Sequence, residues 1–141
     1  MPAPEVFIDT NVLLYLLSAD TEKADRAEAI LRAGGFISVQ VLNEVANVAR
    51  RKLAMSWMEI NEVLMLIRSI CTVEPLSVDT HDRGRLVAER YGLSVYDAMI
   101  VAAALIGGCK TLYSEDMQDG LVIDRQLSIR NPFTRRLSSD T

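Results

Sequence analysis

The feature that most constrains the fold is a short apolar run that ends at an acid. Three consecutive bulky apolar residues, Val6 to Ile8, lead directly into Asp9. Such a run is typical of a buried strand in a parallel sheet. Open parallel sheets bind ligands outside the carboxyl ends of their strands. Asp9 is therefore predicted either to belong to a site at that edge or to be a solvated turn residue, and this stretch alone does not separate the two.

Length and composition predict one domain over residues 1–141, with a polar C-terminal tail from about residue 134. The longest uncharged apolar run, Ala98 to Cys109, is shorter than the roughly 20 residues of a membrane helix. Residues 1–5 lack the features of a secretory signal, so we expect a cytoplasmic protein without a membrane partner. Cys71 and Cys109 lie in apolar settings and are expected to be reduced core residues, and a single histidine, His81, argues against a histidine-based metal site.

The charge balance sets limits on the kind of partner. The net charge is −4, with 19 acids against 15 bases, which argues against binding nucleic acid by bulk positive charge. The bases are nevertheless grouped, and Arg51 lies in the run Arg50–Lys52. Such a group is either a solvated face or a rim that contacts phosphate. The other groups comprise Arg83, Arg85 and Arg90, then Arg125, Arg130, Arg135 and Arg136.

Strand and helix patterns alternate along the chain. Strands are predicted at 6–8, 36–39, 73–76 and 111–114, with one more among residues 122–129. Helices are predicted at 12–18 with Asn11 as N-cap, about 21–33, 39–53, 57–71, 79–91 and 95–106. Because parallel strands need crossover connections, this order predicts an α/β fold with a mostly parallel central sheet of four to five strands and about six helices.

Further acids follow the predicted strands. Glu44 lies one turn into the helix after the second strand, and Asp97 is the third residue of the Ala-rich helix. Asp116 and Asp119 lie in an acidic turn after the fourth strand. Each has a structural alternative, as an exposed helix residue, a capping residue or a solvated turn residue. Their shared place beyond strand ends or at helix N-termini nevertheless predicts that they converge.

Converging carboxylates repel one another and need a compensating positive charge. Without histidine or thiolate ligands, the cation that suits them is a hard one, Mg²⁺ or Mn²⁺, which keeps part of its shell for water and phosphate. Such an ion activates water and neutralises charge on a phosphodiester. A basic rim beside it would hold the flanking nucleic-acid strand. The residues thus point towards phosphodiester hydrolysis.

Four segments together resemble a known family. They are Phe7–Asn11, Ser38–Glu44, Tyr96–Ala98 and Leu112–Asp116, and they occur in the family's order and at its spacing. The chain resembles PIN-domain (PilT N-terminal) ribonucleases, and more closely the VapC-type toxins of bacterial toxin–antitoxin pairs. The resemblance runs from about Val6 to Phe133, and Asn131–Phe133 is similar to the ending of many such toxins.

The resemblance implies a role for each matching residue. The catalytic, metal-holding acids would be Asp9, Glu44, Asp97 and Asp116, with Asp9, Asp97 and Asp116 as the principal ligands of Mg²⁺ or Mn²⁺. Supporting or substrate-contacting residues would be Thr10, Asn11, Ser114 and, on the basic rim, Arg51, and Asp119 would be an outer ligand. The family's Thr-x-Asp element is Ser-x-Asp here, which keeps the hydroxyl. Similar proteins cut RNA, form homodimers and are silenced by a small antitoxin protein whose tail enters the active-site groove.

Two alternatives remain open from the sequence. A haloacid-dehalogenase-like phosphatase also begins with an Asp after its first strand, but it usually has a second Asp two residues later, where this chain has Asn11. The other alternative is a catalytically inactive PIN module that binds RNA or protein. The presence of all four acids argues against an inactive module.

Overall fold

The apolar run at the start of the chain forms the centre of the sheet. In the computed structural model, which describes residues 5–134, β1 (Val6–Ile8) lies between β2 (Phe36–Ser38) and β4 (Thr111–Tyr113) and is parallel to both. The other strands are β3 (Thr72–Glu74), β5 (Val122–Ile123) and β6 (Leu127–Arg130). The sheet order is β3-β2-β1-β4-β6-β5, and only the β5–β6 pair is antiparallel.

Six α-helices accompany the strands in the described part of the chain. They are α1 (Thr10–Leu14), α2 (Thr21–Ala33), α3 (Val39–Arg51), α4 (Trp57–Ile70), α5 (Val78–Tyr91) and α6 (Val95–Ile106), and a 3₁₀ turn at Tyr15–Leu17 follows α1. The predicted class, a single α/β domain with a mostly parallel sheet, is confirmed. The predicted polar tail lies almost entirely outside the described residues, as do Arg135 and Arg136.

The sheet has six strands where four to five were predicted, because the last predicted strand is a hairpin. β5 and β6 pair antiparallel around a tight turn, in which Gln126 N donates to Ile123 O at 2.9 Å. Its two central residues, Asp124 and Arg125, have positive φ angles of 51° and 58°. Hairpin turns of this conformation usually carry Asn-Gly or Asp-Gly. An Asp-Arg turn therefore gives little sequence signal.

The starts of α4 and α6 were predicted correctly from their side-chain caps, whereas α5 begins at Val78, one residue before its predicted start, with Ser77 as its N-cap. Ser56 and Glu59 form a reciprocal capping box on α4, and Ser94 Oγ accepts from Asp97 N at 3.1 Å on α6. The first helix differs from the prediction. It begins at Thr10, and its N-cap is Asp9 in place of Asn11. The cap moved because the Asn11 amide bonds to residues on another turn, as described below.

The core holds the site-bearing segments rigidly. Phe7 and Ile8 are fully buried, and the Ala-rich helix α6 is buried from Ala98 to Leu105. Gly84 of α5 lies against Met99 of α6, and a Cβ atom at residue 84 would be 2.7 Å from Met99 Sδ. This close approach of α5 fixes the position of α6, whose first turn carries Asp97. Within residues 5–134, no helix is both long enough and apolar enough to cross a membrane.

Candidate active site

The parallel strands bring the predicted site residues to one edge of the sheet. Asp9 follows β1, Ser114 follows β4, and α3, which carries Glu44, begins directly after β2. β1 lies between the other two strands, so their carboxyl ends are neighbours. This is the arrangement that the sequence predicts.

Asp9 is buried and fully engaged by hydrogen-bond donors. The residue is only 5% exposed. Oδ1 accepts from Thr10 N at 2.7 Å, and Oδ2 accepts from Ser114 Oγ at 2.9 Å and Asn11 Nδ2 at 3.1 Å. The predicted supporting roles of Thr10, Asn11 and Ser114 are consistent with these contacts. Asp9 is thus held in one orientation by the turn that follows it and by the end of β4.

Burial raises the pKa of Asp9 to about 6. The hydrogen bonds from Ser114 and from the Thr10 amide oppose this rise, and the charges of Glu44 and Asp97 add to it. Like charges raise the pKa of a carboxylate only when they lie close by. Glu44 and Asp97 therefore lie near Asp9. The surroundings of Asp9 disfavour the ionised form of its carboxyl group.

Glu44 is held at both carboxylate oxygens. Thr10 Oγ1 donates to Oε1 at 2.5 Å, and Gln40 Nε2 donates to Oε2 at 3.2 Å. Gln40 Nε2 also donates to Tyr96 O at 3.0 Å, which links α3 to the first turn of α6. Gln40 was not among the predicted site residues. Its only sequence signal is its place one turn before Glu44 on the polar side of α3.

Asp97 and Asp116 complete the group. Burial raises the pKa of Asp97, the hydrogen bond with Ser94 opposes the rise, and the charges of Asp116 and Glu44 reinforce it. Asp97 is half-buried and Asp116 is exposed. The four predicted acids therefore interact electrostatically, with Asp9 at the buried end of the group and Asp116 at the solvent end.

Asn11 joins the turn after β1 to the turn after β4. Its Oδ1 accepts from Glu115 N at 2.9 Å, while its Nδ2 donates to Asp9 and lies 3.4 Å from Ser114 Oγ. Ser114 Oγ in turn accepts from Met117 N at 3.2 Å. These bonds fix the backbone on both sides of Asp116.

The two remaining predicted residues, Asp119 and Arg51, have no hydrogen bond to the four acids in the described part of the chain. Asp119 Oδ1 accepts from Asn131 N at 3.0 Å, a contact that fixes the chain after β6. Arg51 is exposed at the end of α3, seven residues after Glu44, which corresponds to about 10 Å along the same helix face. Its neighbour Arg50 donates to Met55 O at 2.9 Å and lies over the Trp57 ring. Both predicted roles, outer ligand and substrate contact, stay predictions.

The donor set suits a hard divalent cation that keeps most of its own water. The clustered side chains offer carboxylate, hydroxyl and amide groups and no imidazole or thiol, and no three His, Cys, Asp or Glu side chains of residues 5–134 are close enough to hold an ion together. Mg²⁺ is commonly bound by one or two carboxylates plus water and substrate phosphate. The residues fit such an ion, and the larger predicted ligand set stays a prediction.

Residues 6–118 match the family model described as PIN domain, and the chain belongs to that family. No curated protein matches the chain.

Solved structures that share the fold include three from toxin–antitoxin systems. A toxin–antitoxin complex from Klebsiella pneumoniae aligns with a TM-score of 0.69 at 23% identity, covering 91% of this chain and 98% of that one. VapC20 of Mycobacterium tuberculosis, a sarcin–ricin loop cleaving toxin, gives 0.64 at 19% identity, with 79% and 89% covered. VapBC2 of Rickettsia felis, bound to a promoter DNA fragment, gives 0.61 at 18% identity, with 89% and 97% covered. The fold is thus the one found in VapC-type toxins.

Proposed function

We propose that this protein is a metal-dependent endoribonuclease and the toxin of a toxin–antitoxin pair. The observation that carries the proposal is the mutual electrostatic contact of Asp9, Glu44, Asp97 and Asp116 at one edge of the sheet. Negative charges that are held close together reduce the stability of the empty fold. A site that holds them together suits a bound cation and an anionic substrate.

The position of each residue in the site suggests its role. Asp9 and Asp97, whose pKa values are raised mainly by burial and further by neighbouring acids, would hold Mg²⁺ or Mn²⁺, and the exposed Asp116 lies at the solvent end of the group. When bound, the ion would activate water and stabilise charge on the phosphodiester. Glu44, fixed by Thr10 and Gln40, would accept a proton from that water. Arg51 would contact a phosphate of the flanking RNA.

Cleavage of single-stranded RNA with Mn²⁺, and with excess chelator, tests this proposal. Asp9→Asn and Asp97→Asn are each expected to lower the rate by about 10²-fold or more, because one charged group of the cluster is lost. Asp25→Asn, an exposed acid on α2 away from the cluster, is the matched control and should retain the wild-type rate. Cleavage that survives in chelator would exclude a metal-dependent reaction.

The two alternatives are separated by the same assay. A phosphatase would hydrolyse a phosphomonoester and leave RNA intact, and the family match gives this alternative no support. An inactive module would bind RNA and leave it uncut under all metal conditions. Neither result is expected, because all four acids are present and grouped.

The proposed antitoxin needs an apolar surface, and α4 offers one. Its residues Trp57, Met58, Met65 and Leu66 are 53–75% exposed. Contiguous exposed apolar residues are typical of protein–protein interfaces. We expect the product of a small adjacent gene to bind there and to relieve the growth arrest caused by this protein. The predicted homodimer is tested separately, by sedimentation of the purified protein.

A further inference from the structure

A group of four side chains beside the acids is not used by the proposed chemistry. Lys23 Nζ donates to Glu115 Oε2 at 2.7 Å and to Tyr15 OH at 3.0 Å, and Tyr15 OH donates to Glu115 Oε1 at 2.5 Å. Lys23 also lies 4.6 Å from the Tyr15 ring centre and 5.4 Å from that of Phe133. We call this group, Tyr15, Lys23, Glu115 and Phe133, the Lys23 clamp.

The clamp joins three distant parts of the chain. Tyr15 and Lys23 come from the segment after β1, Glu115 comes from the turn after β4, and Phe133 follows β6. The Tyr15 and Phe133 rings meet edge to face with centres 4.8 Å apart. Phe133 lies beyond residues 6–118, which match the family model. The clamp therefore fastens the end of the described chain to the rim of the site.

Glu115 is the residue directly before Asp116, and every polar group of its side chain and its amide is engaged. Its two carboxylate oxygens are held by Tyr15 and Lys23, and its backbone amide donates to Asn11 Oδ1. With Glu115 fixed and Met117 N bonded to Ser114, the exposed Asp116 has little backbone freedom. Lys23 also neutralises a carboxylate that would otherwise add to the negative charge of the cluster.

We propose that Lys23 is a positioning residue, which orders the turn of Asp116 by holding Glu115. Any effect of Lys23 on catalysis depends on the proposed function, because Lys23 acts through Asp116. Its structural part stands alone, since it concerns the order of residues 114–117 in the metal-free protein. Lys23 is 34% exposed and Glu115 is 24% exposed, so water is partly excluded from the pair.

Three variants test the clamp. Lys23→Met keeps the apolar stem and removes the charge, and Lys23→Arg restores the charge. Lys110→Met is the matched control, because Lys110 pairs with Glu5 at 3.3 Å on the surface and contacts none of the acids of the site. In the metal-free proteins, amide exchange of Glu115 and Met117 reports the order of the turn. Binding of Mn²⁺ is measured from the loss of the electron paramagnetic resonance signal of the free ion. This measurement reports on the metal site and needs no RNA cleavage.

Lys23→Met is expected to speed exchange at Glu115 and Met117 by about fivefold and to weaken Mn²⁺ binding by a similar factor, as expected for loss of one partly buried pair. The rate at subsaturating Mn²⁺ should fall while the KM for RNA stays unchanged. Lys23→Arg should restore much of the loss, and Lys110→Met should cause none.

Unchanged exchange at these two amides would overturn the clamp. So would a lower melting temperature accompanied by wild-type Mn²⁺ binding, since that result marks a purely structural role. If the wild-type protein cuts no RNA, the proposed function fails, and the exchange and Mn²⁺ measurements still decide the clamp.

Discussion

Asn11 accepts a hydrogen bond from the backbone amide of Glu115, 2.9 Å from its side-chain oxygen, while the other half of its amide donates to Asp9. One side chain therefore joins the turn of the buried acid to the turn of the exposed acid. The contact needs both a donor and an acceptor, which an amide provides and an ionised carboxylate does not. The phosphatases of the alternative interpretation usually have an Asp at this position.

The first prediction follows from this geometry. Asn11→Asp removes the donor to Asp9 and places a new charge against it, so we expect the rate of RNA cleavage to fall by about tenfold or more. Asn61→Asp makes the same change on α4, where Asn61 is exposed, and should leave the rate unaltered. Rates measured for both variants at saturating Mn²⁺ decide the question. An undiminished rate in Asn11→Asp would mean that the amide does not organise the site.

The sequence was most informative where a residue's role depends on its own segment. The buried strand at Val6–Ile8, the acid after it and the capping box at Ser56–Glu59 are all local patterns, and the structure has each of them. The convergence of the acids followed from topology, because parallel strands bring their carboxyl ends to one edge. Local pattern and topology together were enough to predict that the acids lie near one another at this edge.

The contacts that hold the acids could not be predicted, because they join residues far apart in the chain. Lys23 and Glu115 are separated by 92 positions, and Gln40 reaches Tyr96 across 56. Nothing in the local pattern distinguishes Lys23 from other lysines on exposed helix faces. Asn11 illustrates the same limit, since it looks like a helix cap and is in fact bonded to the far turn.

The second prediction concerns the pH dependence of stability. Burial raises the pKa of Asp9 from an ordinary 3.8 to about 6 in the folded protein. The folded state therefore binds this proton more tightly than the unfolded state. The stability that the proton contributes is lost as the pH rises from about 4 to about 6. A difference of roughly two pKa units corresponds to about 3 kcal/mol. Ionised Asp9 thus destabilises the metal-free protein above about pH 6.

Comparison with Asp9→Asn isolates this effect, because asparagine does not titrate. In chelator, the free energy of unfolding of the variant minus that of wild type should rise by about 3 kcal/mol between about pH 3 and pH 7. Urea unfolding at several pH values measures this difference. A difference that stays constant over the range would show that Asp9 does not titrate in the folded state.

The third prediction concerns the two thiols. Burial raises the pKa of Cys71 to about 11 and that of Cys109 to about 12, and the nearby Glu74 and Glu5 contribute to the rise at Cys109. The thiolate is the reactive form, so neither residue should be alkylated by iodoacetamide at about pH 8 in the folded protein. Both should be alkylated at the ordinary rate in urea. Mass spectrometry of the labelled protein checks this, and rapid labelling of either thiol without urea would contradict its burial.

The last prediction tests the basic rim. Arg51 and Arg50 are adjacent exposed arginines on α3, but Arg50 is bonded to Met55 O and stacked on Trp57, whereas Arg51 lies two turns beyond Glu44 on the same face. In an Asp97→Asn background that leaves RNA uncut, Arg51→Gln should weaken RNA binding. It should also reduce the slope of log K against log salt by about one, because one phosphate contact is lost. Arg50→Gln removes the same charge from the same helix and should leave the slope unchanged. Equal slopes for all three proteins would mean that Arg51 contacts no phosphate and that the RNA follows another path from the acids.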